Sequence, residues 1–232
     1  MFNLVKCHYS YLLAKATLLI LGFVLIIDLV SCFMVASSCE ELSSVSQANL
    51  YYLQNNFFFM KTINLLIIVF LYSYPFTKKQ DNYCTLIITG AVSRNKYFLS
   101  KVFTIALFLF AFTWLEACIY IIIGALYYPI IVLDYHSILL FVNLYLLMFY
   151  YGLIALLLIQ LSDNIYMAIV PFALYIIATS LVEAEEKLAI LTIILPTISI
   201  DFRNTNNDLC QIAFLIIVFL FLNMIVYHKR DF

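Results

Sequence analysis

Residues 17–36 form an apolar run broken by one charge, Asp28, and a run of that length crosses the roughly 30 Å hydrocarbon core of a bilayer as a single helix. Lipid offers the backbone no hydrogen-bond partner, so a spanning segment must pair its own N–H and C=O groups within a helix or a closed barrel. Similar apolar runs recur along the chain. The reading is therefore all-α, a polytopic membrane protein. Of the 232 residues, 66% are hydrophobic and 11% charged, against about 45–50% and about 25% in soluble domains. Six helices of roughly 20 residues use about half of the chain, and what remains makes short loops. A large soluble domain is excluded.

The spans are placed at 15–35, 57–74, 102–127, 138–161, 165–182 and 209–227, in a single transmembrane domain covering 1–232. Before the first, Phe2, Val5, Tyr9, Leu12 and Leu13 share one helical face, with Asn3, Lys6, Ser10 and Lys15 elsewhere, the pattern of a helix lying in the interface. The 17–36 run is too long for the apolar part of a signal peptide and reads as a retained span. Between spans 5 and 6, the apolar stretch 188–200 contains Pro196 and is short enough to be re-entrant.

Charge decides between six spans and seven. With both termini cytoplasmic, Lys6, Lys15, Lys78, Lys79, Arg94, Lys96, Lys101, Lys229 and Arg230 fall inside, whereas Lys187 and Arg203 fall outside and Lys61 lies in span 2. Acids run the other way: Glu40, Glu41, Asp134, Glu183, Glu185, Glu186, Asp201 and Asp208 are outside. A seventh crossing by 188–200 would export Lys229 and Arg230, against the positive-inside bias.

Several chemistries are absent. Gly22, Gly90, Gly124 and Gly152 are the four glycines, so neither a GxxxxGK[ST] phosphate loop nor a GxSxG nucleophile elbow can be written. The chain has no nucleotide-binding motif and is not expected to be an enzyme alone. His8, His136 and His228 stand too far apart for HExxH, and the six cysteines include no CxxC pair, so no metal or redox motif is present. Glu185-Glu186 is similar to the glutamate pair of intramembrane CAAX-type proteases, without the Arg and His that should accompany it.

Asp28, Lys61 and Glu116 are the full charges within the spans, and burying such a group unpaired costs several kcal/mol. Asp28 and Glu116 both lie roughly 20 Å from the inner face at 1.5 Å per residue, and Lys61 enters from outside. The three are expected to meet as an intramembrane polar cluster, either as a structural clamp between helices or as an ion relay. The dense aromatics, including Phe57-Phe-Phe59, Tyr127-Tyr128 and Tyr150-Tyr151, read as an interfacial belt with lipid-facing Phe.

The most specific stretch lies between spans 2 and 3: Asp81, an apolar segment at Thr85, Leu86, Ile87 and Ile88, then Ser93-Arg94, Lys96 and Lys101. It resembles the permease subunits of the ABC type-2 export family, where an acid, a short apolar helix, a Ser-Arg pair and a Lys opening the third span occupy the same loop. Asp81 stands where that family more often has Glu, and Ala91 where it more often has Pro. Small chains of this kind are similar to permeases of peptide-toxin or bacteriocin export and immunity systems, including exporters of phenol-soluble modulins.

The resemblance implies a cytoplasmic coupling helix in this loop, docked in a groove of a separate ABC ATPase subunit present in two copies. That subunit would bind ATP and Mg, and no cofactor is expected on this chain. A second permease chain, identical or sister, would complete a pathway in the cell membrane for an amphipathic or lipophilic substrate such as a peptide toxin, lipid or drug. Membrane lipid is the other expected partner, and nucleic acid is not one. Two alternatives stay open: an ion-coupled carrier or channel using Asp28 and Glu116, and a non-catalytic toxin-immunity membrane protein.

Overall fold

The computed structural model describes residues 15–73, 93–127, 135–183 and 205–229, with residues 5, 6, 8, 9, 12, 130, 131 and 194–197. Among the described residues the long α-helices are, in order, α1 Lys15–Ser38, α2 Val45–Ser73, α3 Arg94–Leu126, α4 Tyr135–Ser162, α5 Val170–Glu183 and α6 Thr205–Lys229. Short 3₁₀ turns at Cys39–Glu41 and Ile165–Ile169 precede α2 and α5, and the described residues contain no strand. The segments Thr17–Glu41, Arg94–Leu126, Ser137–Ser162 and Leu209–Lys229 are long and apolar enough to cross a membrane. Ile165–Ser180 is a shorter apolar helix.

Two helices start earlier than the apolar runs do. α2 begins at Val45 rather than near 57 because Ala48, Tyr52, Leu53, Asn56, Phe57 and Met60 recur at helical spacing and are all buried. Its start is capped: the Ser44 hydroxyl accepts from the Gln47 amide at 3.3 Å, in a Ser-x-x-Gln sequence of the capping-box type. α3 begins at Arg94 rather than near 102, with Tyr97, Phe98, Lys101 and Val102 carrying its buried stripe into the first turns.

Helix α4 occupies the middle of the bundle. Leu147, Met148, Tyr150, Tyr151, Leu153, Ala155 and Leu156 are fully buried, which covers every side of the helix, as expected where apolar residues run all round. Its most extensive packing is against α6, then α2 and α3. By contrast, α1 and α6 bury one stripe each. On α1 the buried stripe is Leu21, Val24, Asp28, Cys32 and Ala36, while Leu19, Phe23, Ile26 and Met34 face out. On α6, Phe214, Ile217 and Phe221 face out, an apolar exterior suited to lipid rather than water. At the turn after α4, Asp163 adopts a left-handed φ of 53°, and the Asn164 side chain accepts from the Tyr166 amide at 3.0 Å, a helix-stop geometry.

Tyr150 and Tyr151 differ from the belt expected of them. They lie near the midpoint of α4 and are fully buried. The Tyr150 hydroxyl donates to the Ile194 carbonyl, and that of Tyr151 to the Pro196 carbonyl at 3.2 Å. Pro196 has no N–H and interrupts helical pairing, so nearby carbonyls need donors from elsewhere. The two phenols provide them. Tyr150→Phe and Tyr151→Phe should each lower stability by about 1 kcal/mol, read as a lower thermal midpoint of the detergent-solubilised chain. Tyr145→Phe, whose hydroxyl makes no such bond to 194–197, serves as the control.

Candidate functional site

Helices α1, α2 and α3 meet around one small polar region. Asp28 comes from the buried stripe of α1, Asn64 from α2 and Glu116 from α3, with relative exposures of 1%, 0% and 0%. The Asn64 Nδ2 donates to Glu116 Oε2 at 2.9 Å. Asp28 and Glu116 face each other within side-chain hydrogen-bonding reach. One turn beyond Asp28, the Cys32 thiol lies in hydrogen-bonding reach of the Tyr52 hydroxyl, which donates to the Tyr120 carbonyl at 2.8 Å. Phe57, Tyr120 and Phe141 close the region on that side, with ring centroids 5.0 Å apart for Phe57–Phe141 and 5.4 Å for Tyr120–Phe141. Packed aromatics of this kind exclude water and keep the local dielectric low.

Asp28 and Glu116, expected at equal depth together with Lys61, lie side by side. Lys61 occupies a different place: it is half-buried on α2 and its ammonium lies over the Phe58 ring, 5.6 Å from the centroid. Asn64, three residues further along α2, reaches Glu116 in its stead. A search restricted to full charges passes over Asn64, Cys32 and Tyr52. The signal for Asn64 is an amide inside the otherwise apolar 63–71 stretch, on the face of Met60 and Ile67.

Of the loop residues, Asp81, Thr85 and Leu86 lie outside the described residues. Ser93 is exposed and extended immediately before α3. Arg94 and Lys96 are exposed on the first turn, and Arg94 Nη1 donates to the His228 carbonyl of α6 at 3.3 Å. Lys101 is placed differently, 2% exposed with its ammonium over the Tyr97 ring at 4.7 Å. The His8 ring meets Tyr97 edge-on at 5.1 Å. The N-terminal residues, the start of α3 and the end of α6 thus share one end of the bundle, and Phe98 against Tyr227 at 5.0 Å joins them.

Among the described residues no group of three or more His, Cys, Asp or Glu is placed to hold a metal ion. An apolar cleft of about 210 Å³ lies between α3 and α4, lined by Phe110, Trp114, Ile138 and Phe141 among others. Compared with family models and with curated proteins, the chain matches none.

Asn64→Leu removes the donor to Glu116 and should destabilise the chain by about 1–3 kcal/mol, since it strands a buried acceptor; thermal unfolding in detergent measures it. His8 gives a pH dependence. Burial, then the Lys101 charge, push its imidazole down to about 4, whereas an unfolded histidine titrates near 6.5. The folded state therefore favours neutral His8. Its contribution to stability is complete above about pH 6.5 and is lost as pH falls toward about 4. His8→Phe, which keeps a ring against Tyr97, should flatten the fall in melting temperature between pH 7.5 and pH 4.5.

Proposed function

We propose that the chain is the membrane-spanning permease subunit of an ABC exporter, working with a separate ATPase subunit that binds ATP and Mg. The observation that carries this reading is the basic end of the bundle. Arg94 and Lys96 stand exposed on the first turn of α3, directly after the 81–93 stretch that resembles the export-family loop. Exposed Lys6 and Lys229 lie at the same end, while the far end carries exposed Glu40 and Glu41 between α1 and α2. The positive-inside bias assigns the basic end to the cytoplasm, where an ATPase would dock.

Helix α3, at 33 residues, is about 50 Å long and outreaches a hydrocarbon core of about 30 Å, so its basic turn has room to project. In this reading α2 and the 165–182 segment supply two further crossings, giving six, and both termini are cytoplasmic. The tyrosine bonds to Ile194 and Pro196 support a re-entrant 188–200 segment, because they seat those carbonyls beside the midpoint of α4. Two such chains, identical or sister, would frame a path in the cell membrane for an amphipathic peptide, lipid or drug.

Lys101 takes a modified role. Buried against Tyr97 and beside His8, it fixes the inner end of α3, and Arg94 with Lys96 is left as the exposed charge that sets register with a partner. A second reading, an ion-coupled carrier, is favoured by the Asp28–Glu116 pair and requires no ATPase. Gentle solubilisation of the tagged chain from source membranes, followed by affinity capture, separates the two. The exporter reading expects a stoichiometric ATPase whose retention falls about tenfold or more in Arg94→Glu/Lys96→Glu, since like-charge contacts at an interface cost several kcal/mol. Recovery of the chain without an ATPase would overturn it.

A further inference from the structure

Two ionised acids would make the Asp28–Glu116 contact repulsive. Among the described residues neither Asp28 oxygen has a hydrogen-bond donor, nor does Glu116 Oε1, and the donor seen on the pair is the Asn64 amide, on Glu116 Oε2. Two carboxylates have acceptors only, so a hydrogen bond between them exists when one carries a proton. Among the described residues the neighbouring charged and titratable groups are few. On α1 the neighbour is Cys32, whose thiol is engaged with Tyr52. On α2 these are Tyr52, which donates to the Tyr120 carbonyl, and Lys61, whose ammonium lies over Phe58. On α3 it is Tyr120, and α4 presents the Phe141 ring beside it. The amide that donates to Glu116 also carries an unpartnered acceptor: the Asn64 Oδ1, on a fully buried side chain, has no partner among the described residues.

Like charges in contact inside a dry site cannot both persist, and a pair of acids at hydrogen-bonding distance settles this by sharing one proton. We propose that Asp28 and Glu116 form a proton-binding site inside the bundle, holding one proton between α1 and α3 while the Asn64 amide orients the Glu116 carboxyl. The ligand is the proton itself. The bound proton bonds α1 to α3, and its departure leaves two carboxylates facing each other, a repulsion that only separation of the helices or entry of water relieves. The site therefore links protonation to the packing of α1. This inference stands apart from the exporter reading, since it concerns the chain's own residues and needs no ATPase.

Infrared spectroscopy of the purified full-length chain in lipid nanodiscs tests it. At pH 7.5 the wild type should show the C=O stretch of one protonated carboxyl among its 13 acidic residues, moving to lower frequency in D₂O. The band should vanish in Asp28→Asn/Glu116→Gln. A wild type with no protonated-carboxyl band at this pH, or a double variant that keeps the band unchanged, would overturn the proposal. Should the double variant not fold, the single variants Asp28→Asn and Glu116→Gln give the same decision. Each should abolish or shift the band, and a band left unchanged by both refutes the proposal.

Discussion

A carboxyl group removed from water has to be met by something, and in this bundle the obligation falls on the neighbouring helices. Asp28 takes a position in the buried stripe of α1 that a leucine would fill in an ordinary amphipathic helix. At the same level α2 and α3 bring an amide and a second acid, and one turn away the Tyr52 hydroxyl donates to the Tyr120 carbonyl. Two hydrogen-bonded groups result, Asn64 with Glu116 and the Tyr52 hydroxyl with the Tyr120 carbonyl, and the Asp28 oxygens belong to neither. Each bond offsets part of the cost of desolvating its own two partners, and apolar packing around them keeps water from competing.

The same rule governs the backbone. Inside a helix every N–H and C=O finds its partner locally, but Pro196 breaks that arrangement, and the carbonyls of Ile194 and Pro196 are satisfied by phenols from the middle of α4. Tyrosine suits this work because its ring packs among leucines while the hydroxyl reaches across the gap. The most buried helix thus serves two purposes at once, as the apolar centre of the bundle and as a source of donors for chain that cannot pair with itself.

Long apolar runs were legible because their physical demand is strong and repetitive: α1, α4 and α6 lie where hydropathy places them. The ends of α2 and α3 were less legible. Polar residues such as Gln47, Asn49 and Gln54 mask a buried stripe that continues through Ala48, Tyr52 and Leu53, so periodicity and the Ser44–Gln47 cap carried the information where hydropathy did not. In the polar cluster, equal depth places Asp28 and Glu116 at one level but leaves open which of them meets Lys61. Depth could not resolve Lys61 from Asn64, because residues three apart differ by less than one turn in height and the helix phase decides which of them faces inward. Tyr150 and Tyr151 were assigned to an interface by residue type, and a buried use for their hydroxyls becomes visible when 194–197 is placed beside them.

Helix α3 runs from Arg94 to Leu126 without a proline and without a break. Its basic first turn stands at one end of the bundle, and Glu116, 22 residues later by sequence number, lies about 33 Å along the same axis. A continuous helix of this kind is a stiff lever. A tilt imposed where Arg94 meets the end of α6 swings the far arm against α1 and α2, and the fulcrum is the packing of Phe108, Leu109 and Phe112 in between. A force applied at the surface would reach the buried acids as a displacement of this one helix.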